Sequence, residues 1–560
     1  MRTFGDERTE VSMNRLPNRP NLDLLKKQAK ELLAAYRRGD PVALARFREA
    51  LPTAMGKDDR AIEALALRLH DAQSCLAREY GFPSWRDMSS FVTAQRDYGA
   101  DRARSIRNWA ALIYPGDITG TTNRASPAAA ARMIEEHPDL ALGDAYLACA
   151  AGEKAVLRDM TKRDTTWLNR PGGPLNLPPL VAVTHSSLVR LPRFREALYA
   201  SARLLLAAGA DPNQAVGSRW PPDSLESPSQ RFSLSALYGA AGQNHDPEMA
   251  KLLLDAGANP NDGESLYHSL ENPACARLLL EAGAHVTGSN ALYRVLDLDS
   301  IEALQLLLAA PDVNPNEPAG SRPTSDWGTP LLWAIRRRRS PAHIEALLAA
   351  GADPSARTPE GLSAYHVALR FGLPDVAALL RQSGDDGPLP DEERFVAACA
   401  AGDEATARQI KARRPDLPGS LSGEQLRLLP ELAAQGSGDA VKVMVRLGWP
   451  ISRRGGDWDA SALNHAVFHG DVDLTRFLLE HGADWREPHS FGGDVRGTLG
   501  WASVNEPEPN GDWLGCAEML VAHGMPRGLP DPEGTRDVVF DDSKMSFSDG
   551  VTDYLLGATA

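Results

Sequence analysis

Residues Gly328 to Asp353 read GTPLLWAIRRRRSPAHIEALLAAGAD, and the rest of the chain varies this stretch. Thr329 is placed to cap a helix by accepting from an early backbone N–H, and Pro330 fills the first helical position, where its missing N–H costs nothing. Leu331, Ala334 and Ile335 make one apolar face at helical spacing. A second helix carries Ile344, Leu347 and Leu348, and Gly351 ends it where positive φ is needed. Two helices this short cannot bury their apolar faces alone and need copies of themselves on either side.

The copies are present. The exit of the second helix recurs as LLLAAGADPN (Leu204–Asn213), LLLDAGANPN (Leu252–Asn261), LLLEAGAH (Leu278–His285), LLLAAPDVN (Leu306–Asn314), FLLEHGADW (Phe477–Trp485) and MLVAHGMP (Met519–Pro526). The first helix recurs as SALYGAA from Ser235, ALYRV from Ala291, SAYHVAL from Ser363 and SALNHAV from Ser461. The pattern resembles the ankyrin repeat, with its T-P-L-H-x-A opening and L-L-x-x-G-A-D-x-N close. The resemblance implies an all-α chain: an ankyrin-type α-solenoid of about ten to twelve units, some degenerate, over residues 101–530.

The chain has 560 residues and a formal charge of −14, which on average repels nucleic-acid phosphates. The five cysteines, Cys75, Cys149, Cys275, Cys399 and Cys516, lie far apart, form no CxxC pair and fit a reducing cytoplasm. No signal-peptide core is present, and no apolar run approaches the ~18 residues a membrane span requires. The expected partner is another protein, with no nucleic acid, membrane, cofactor or metal; oligomeric state stays open.

Residues 1–20 read as a flexible lead and 21–95 as a small helical domain. Its residues LKKQAKELL and DAQSCLAREYGFPSW resemble an N-terminal module that precedes ankyrin arrays in many bacterial proteins. As the end of an array it would cover the first unit's apolar face. Residues 531–560 read as a C-terminal cap or a loosely held tail. Four polar insertions, Gln214–Phe232, Asn316–Trp327, Ser452–Trp458 and Asn505–Trp513, interrupt the units. In a stacked array equivalent loops project from one edge, so they are expected to form one surface.

No GxxxxGK[ST] loop, HExxH helix, GxSxG elbow or CxxC pair occurs. His465 and His469 have the i, i+4 spacing of metal ligands, but no glutamate follows His465 and both read as surface histidines. Arg336–Arg339 point all around their helix and read as solvated charge with local pairing, or as a contact to an acidic partner. The position before the repeat's alanine, which stacking leaves free, holds Gly239, His268, Arg294, Trp333, Val367, His465 and Trp501. Tryptophan and arginine are common interface anchors, so Arg294, Trp333, His465 and Trp501, with Trp220, Trp327, Trp458 and Trp513 of the insertions, are the expected partner-binding residues. They imply a non-catalytic scaffold that binds through the concave face and projecting loops. The alternative is a regulatory subunit or enzyme whose activity resides in the N-terminal helices, with Glu31, His70, Asp71 and Glu79 as its candidate groups.

Overall fold

The computed structural model describes residues 15–17, 19–99, 101–121, 124–220, 227–318, 328–381, 389–508, 510–532, 537–541 and 543–557. The chain divides into two compact units, residues 1–284 and 285–560. Both are built mostly of helices, with three small antiparallel sheets among the described residues.

The first unit opens with helices Leu22–Arg37, Pro41–Ala50, Leu69–Glu79 and Trp85–Asp97. Asn21, Asp40 and Ser84 cap three of them with side-chain oxygens, satisfying N–H groups that no helix can satisfy itself. Leu25, Ala29, Leu32 and Tyr36 turn inward together with Phe47, whose ring meets Tyr36 edge-on at 5.4 Å. Helix pairs follow: Ala145–Ala151 with Lys154–Arg163, Pro179–Thr184 with Pro192–Ala207, and Ser265–Ser269 with Pro273–Glu281. Between the last two, the expected first helix at Ser235–Ala241 is instead a π-helical turn, Tyr238–Gln243, leading to helix Pro247–Asp255. A Cβ at Gly239 would sit 2.3 Å from the ring of the buried His185, so glycine lets this turn close on its neighbour.

The second unit continues the plan. Helix Pro330–Arg336 is capped by Thr329 and followed by Pro341–Ala349, as its sequence dictates. First helices pack on first helices, Ala291–Asp297 on Pro330–Arg336 on Ala364–Arg370, and second on second, Ile301–Leu308 on Pro341–Ala349 on Pro374–Leu380. The same stacking resumes from Leu428–Ala434 through Ala462–Phe468 to Val495–Asn505. Leu331, Ala334, Ile344 and Leu347 are fully buried in the stack. Beyond helix Trp513–Ala522, strands Leu529–Pro530, Val538–Phe540 and Ser543–Met545 form a sheet, and helix Asp549–Leu555 packs on Trp513–Ala522. Val538, Phe540, Val551 and Leu555 are buried, so this segment covers the last pair.

One device explains the asparagine at the close of the motif. Asn169 donates to Gly209 O and accepts from Asp211 N; Asn213 does the same to Gly257 O and Asn259 N. Within the second unit Asn316 bridges Gly351 O and Asp353 N. Each amide ties its loop to the next exit turn, where the glycines stand at φ 93–103° (Gly209 103, Gly257 93, Gly351 94).

Candidate functional site

The arginine run of the second unit is not solvated. Arg336 is 4% exposed and forms two parallel bonds, Nε to Glu431 Oε2 and Nη2 to Glu431 Oε1, both at 3.0 Å. Its Nη2 also lies 3.2 Å from Asp457 Oδ1. Arg337 binds Asp297 at 2.7 Å and Asp457 at 2.5 Å. Arg338 donates to Phe371 O, and Arg339 lies 2.9 Å from Asp299. Glu431 lies 95 residues from Arg336, and Asp297 and Asp457 lie 40 and 120 residues from Arg337, so the acidic groups that meet them are the chain's own.

Asp457 arrives on the hairpin of strands Arg454–Gly455 and Ala460–Ser461. Gly456 N donates to Glu431 Oε1 at 3.0 Å, and His465 Nε2 donates to Gly455 O at 3.3 Å. A Cβ at Gly456 would approach His465 Nε2 at 2.7 Å, so the hairpin lies flat on the helix. The insertion therefore folds back over the first helices instead of projecting. Trp333 is buried beneath this brace, with Arg337 4.3 Å and Arg336 5.1 Å from its ring and its Nε1–H on Asp297 Oδ1 at 3.1 Å. Burial pushes the Asp297 carboxyl up from its ordinary value against the pull of Arg337.

The first unit uses the same arrangement. Strands Ala215–Gly217 and Ser233–Ser235 carry the insertion back toward helix Gly116–Thr119. Arg219, 1% exposed, takes Asp117 O with its backbone N–H at 2.7 Å and donates to Ile118 O at 2.8 Å and Asn176 O at 3.3 Å. Its guanidinium is held by carbonyl oxygens, and burial lowers its pKa.

Solvent access at the expected partner-binding residues is therefore corrected in part. Trp333 and His465 are buried by the hairpin and its charges, and Trp513 by donating its Nε1–H to Phe468 O at 3.3 Å at the start of helix Trp513–Ala522. His465 is no surface histidine. Gly239 and Val367 are also buried, because first helices pack on each other there. Arg294, His268 and Trp458 are half-buried, while Trp220 and Trp501 are 54% and 53% exposed. Trp327 lies outside the described residues.

Two of these tryptophans belong to one aromatic row. Trp501 stacks on Phe468 at 5.5 Å and 9°, Phe468 meets Trp458 at 5.8 Å, and Trp458 lies over Phe491 at 6.5 Å and 21°. Trp458 also meets His465 at 4.8 Å and His489 at 5.3 Å. Phe491 is 80% exposed. Phe468 and Phe491 were missed in the sequence; an aromatic residue set between Ser490 and Gly492 in a polar loop was the available signal.

Burial outweighs the nearby groups and keeps two histidines neutral, His465 even beside Glu431 and Asp457. His185 falls to about 3 and His465 to about 4, both through burial. In the unfolded chain each titrates near 6.5, so as pH falls the unfolded chain binds the proton first. The stability they support is present above pH 6.5 and is lost between 6.5 and the folded values. Between pH 7.5 and 5.5 each is expected to cost about 1 kcal/mol, read as falling urea midpoints. His465→Gln should remove its share from the second unit, and midpoints flat over that range would contradict the assignment.

In the N-terminal helices Glu31 and Glu79 line one groove of about 320 Å³ with Gln28, Arg46 and Tyr80. Glu79 there is bound twice by Arg46, both bonds at 2.7 Å. His70 and Asp71 do not join them: Asp71 accepts from Arg68 N at the start of its helix, and His70 points to solvent. All five cysteines are free and buried, and burial pushes the Cys275 and Cys399 thiols up to about 12. Among the described residues no three His, Cys, Asp or Glu side chains are grouped to hold a metal, and no helix is long and apolar enough to cross a membrane.

The ankyrin repeat family model matches residues 234–264, which span the strand from Leu234, the π-helical turn, helix Pro247–Asp255 and its exit. No curated protein matches the chain. Solved structures that it resembles include the human ASB11 ankyrin repeat domain, 19% identical, covering 42% of this chain and 98% of that one with a TM-score of 0.20. Another is the ankyrin repeat domain of Bcl-3, described as a member of the IkappaB family, 20% identical, covering 44% and 92% with a TM-score of 0.19. The reading of the repeat rests on the chain's own helix pairs and on the family match at 234–264.

Proposed function

We propose that this chain is a non-catalytic scaffold that holds another protein, and that in the second unit the partner meets the aromatic row Trp501, Phe468, Trp458 and Phe491. The observation that carries this reading is the exposure of Trp501 and Phe491 at the two ends of a continuous set of ring contacts. Large aromatic side chains left in water are unfavourable unless something covers them, and tryptophan is a frequent anchor of interfaces. Trp220 is a second exposed anchor, in the first unit, and half-buried Arg294 in the second adds a charged contact. Trp333, His465 and Trp513 act from below: they hold the helices and hairpin that present the row. Contact with them would follow only if the hairpin lifts.

The test is affinity capture from the source cells with the full chain as bait. Trp501→Ala with Phe491→Ala is expected to lose the proteins that the parent chain retains. Its thermal unfolding should stay within about 0.5 kcal/mol of the parent, because both rings are exposed. Retention of the same proteins by both baits would refute the assignment of the row.

A further inference from the structure

A groove in the first unit holds two guanidinium groups that the chain does not neutralise. We propose that this groove binds a small oxyanion, a carboxylate or a phosphate group, between Arg190 and Arg195.

The local sequence is basic in a chain whose formal charge is −14. Residues 185–203 hold four arginines and one glutamate. Two of the four are engaged: Arg193 pairs with Glu135, and Arg203 lies 3.5 Å from Glu248. Arg190 ends the helical turn Ser187–Arg190, and Arg195 stands near the start of helix Pro192–Ala207. Both line one groove of about 350 Å³, at the small end of the range for ligand-binding cavities.

Neutral acceptors hold one edge of each guanidinium. Arg190 donates from Nε to Asn244 Oδ1 at 3.0 Å and from Nη2 to Gln243 O at 2.6 Å. Asn244 is buried and is itself fixed, its Nδ2 donating to Thr184 O at 2.9 Å. Arg195 donates from Nε to Val189 O at 3.3 Å. Among the described residues neither guanidinium is paired with a carboxylate, and Nη1 of Arg190 and both Nη atoms of Arg195 donate to nothing in the chain. Burial lowers the pKa of Arg190, as expected of a cation with no countercharge beside it. A guanidinium held in this way has already lost much of its freedom, so an arriving anion need not order it.

The carboxylates of the groove are already bonded, so what it lacks is negative charge. Asp246 is buried; both its oxygens accept from the Tyr199 hydroxyl at 2.8 Å, and it caps helix Pro247–Asp255 by accepting from Glu248 N and Met249 N. Glu248 is the partner of Arg203. His245 Nε2 lies 3.5 Å from Glu271 Oε2, and burial lowers its pKa, so the arginines supply the positive charge. Flat guanidinium groups bind the paired oxygens of a carboxylate or phosphate through parallel N–H···O bonds. An amine would meet the two guanidinium groups and only carboxylates that are already bonded.

The experiment is calorimetric titration of the full chain with inorganic phosphate and, separately, with succinate, at constant ionic strength set by sodium chloride. At least one should bind at a single site with a Kd below about 10 mM. Arg190→Gln and Arg195→Gln should each weaken it about tenfold. Arg277→Gln, on the exposed face of helix Pro273–Glu281 and outside the groove, should leave it unchanged. Arg195→Lys, which keeps the charge and loses the flat fork, should fall between the parent and Arg195→Gln. Circular dichroism and thermal unfolding of each variant report whether the fold survives. Arg195→Gln decides the matter if Arg190→Gln, which also loses its hold on Asn244, unfolds early. Binding of phosphate alone or succinate alone supports the proposal and names the group. No binding of either at about 50 mM, or equal binding to the parent and Arg195→Gln, would overturn it.

Discussion

Glu431→Ala is expected to destabilise the second unit by about 3 kcal/mol, because it removes the two-bonded carboxylate from a buried guanidinium and leaves it the single contact to Asp457. Arg336 and Glu431 are nearly inaccessible and share two 3.0 Å bonds, so water cannot replace the lost partner without opening the stack. The same change removes the acceptor of Gly456 N and frees the hairpin that carries Asp457 and Trp458. In guanidinium chloride unfolding of the full chain, the transition belonging to residues 285–560 should move and that of residues 1–284 should not. Replacing both members, Arg336→Met with Glu431→Leu, should recover much of the loss, since the penalty lies in the unpaired charge more than in the absence of the pair. A shift below about 1 kcal/mol for Glu431→Ala would mean the pair is solvated.

Trp333→Ala is the second large effect, about 3–5 kcal/mol, the cost of emptying the space of a buried tryptophan. The ring is 1% exposed, supports two guanidinium groups and satisfies Asp297. Trp501→Ala, at the equivalent place in a later repeat, should change stability by no more than about 0.5 kcal/mol. Chemical denaturation of the two variants side by side gives the comparison, and equal losses would contradict the difference in burial. Combining Trp333→Ala with Glu431→Ala should cost less than the separate losses together, because Trp333 and Glu431 both hold Arg336.

That contrast shows how far the sequence could be read. The helix pairs, the cap at Thr329 and the exit turn at Gly351 are local, and local signals were legible from residue order. The free position before the repeat's alanine was legible too, but its exposure was not. At Trp333 the residues three and four places on are Arg336 and Arg337, which fold over the ring; at Trp501 they are Val504 and Asn505, which offer no guanidinium. The direction of the insertions was illegible for a different reason. It is set by charge pairs 95 and 120 residues apart in one unit and by Arg219 reaching Ile118 in the other, and no window along the chain contains both ends. Loops expected to project from an edge are pulled back because a buried cation needs its acceptors. The aromatic row was half legible: Trp458 and Trp501 stood out by type, whereas Phe468 and Phe491 join them only through the fold.

The claim that another protein is held on the open aromatic row, and not on the charged cluster beneath the hairpin, is tested most directly by photo-crosslinking in the source cells. A benzophenone side chain in place of Phe491, 80% exposed at one end of the row, is compared with the same group in place of Val42, 70% exposed on an N-terminal helix. The account predicts a discrete adduct from position 491 that disappears when Trp501→Ala is added, and none from position 42. The same adducts from both positions, or an adduct at 491 indifferent to Trp501, would contradict it.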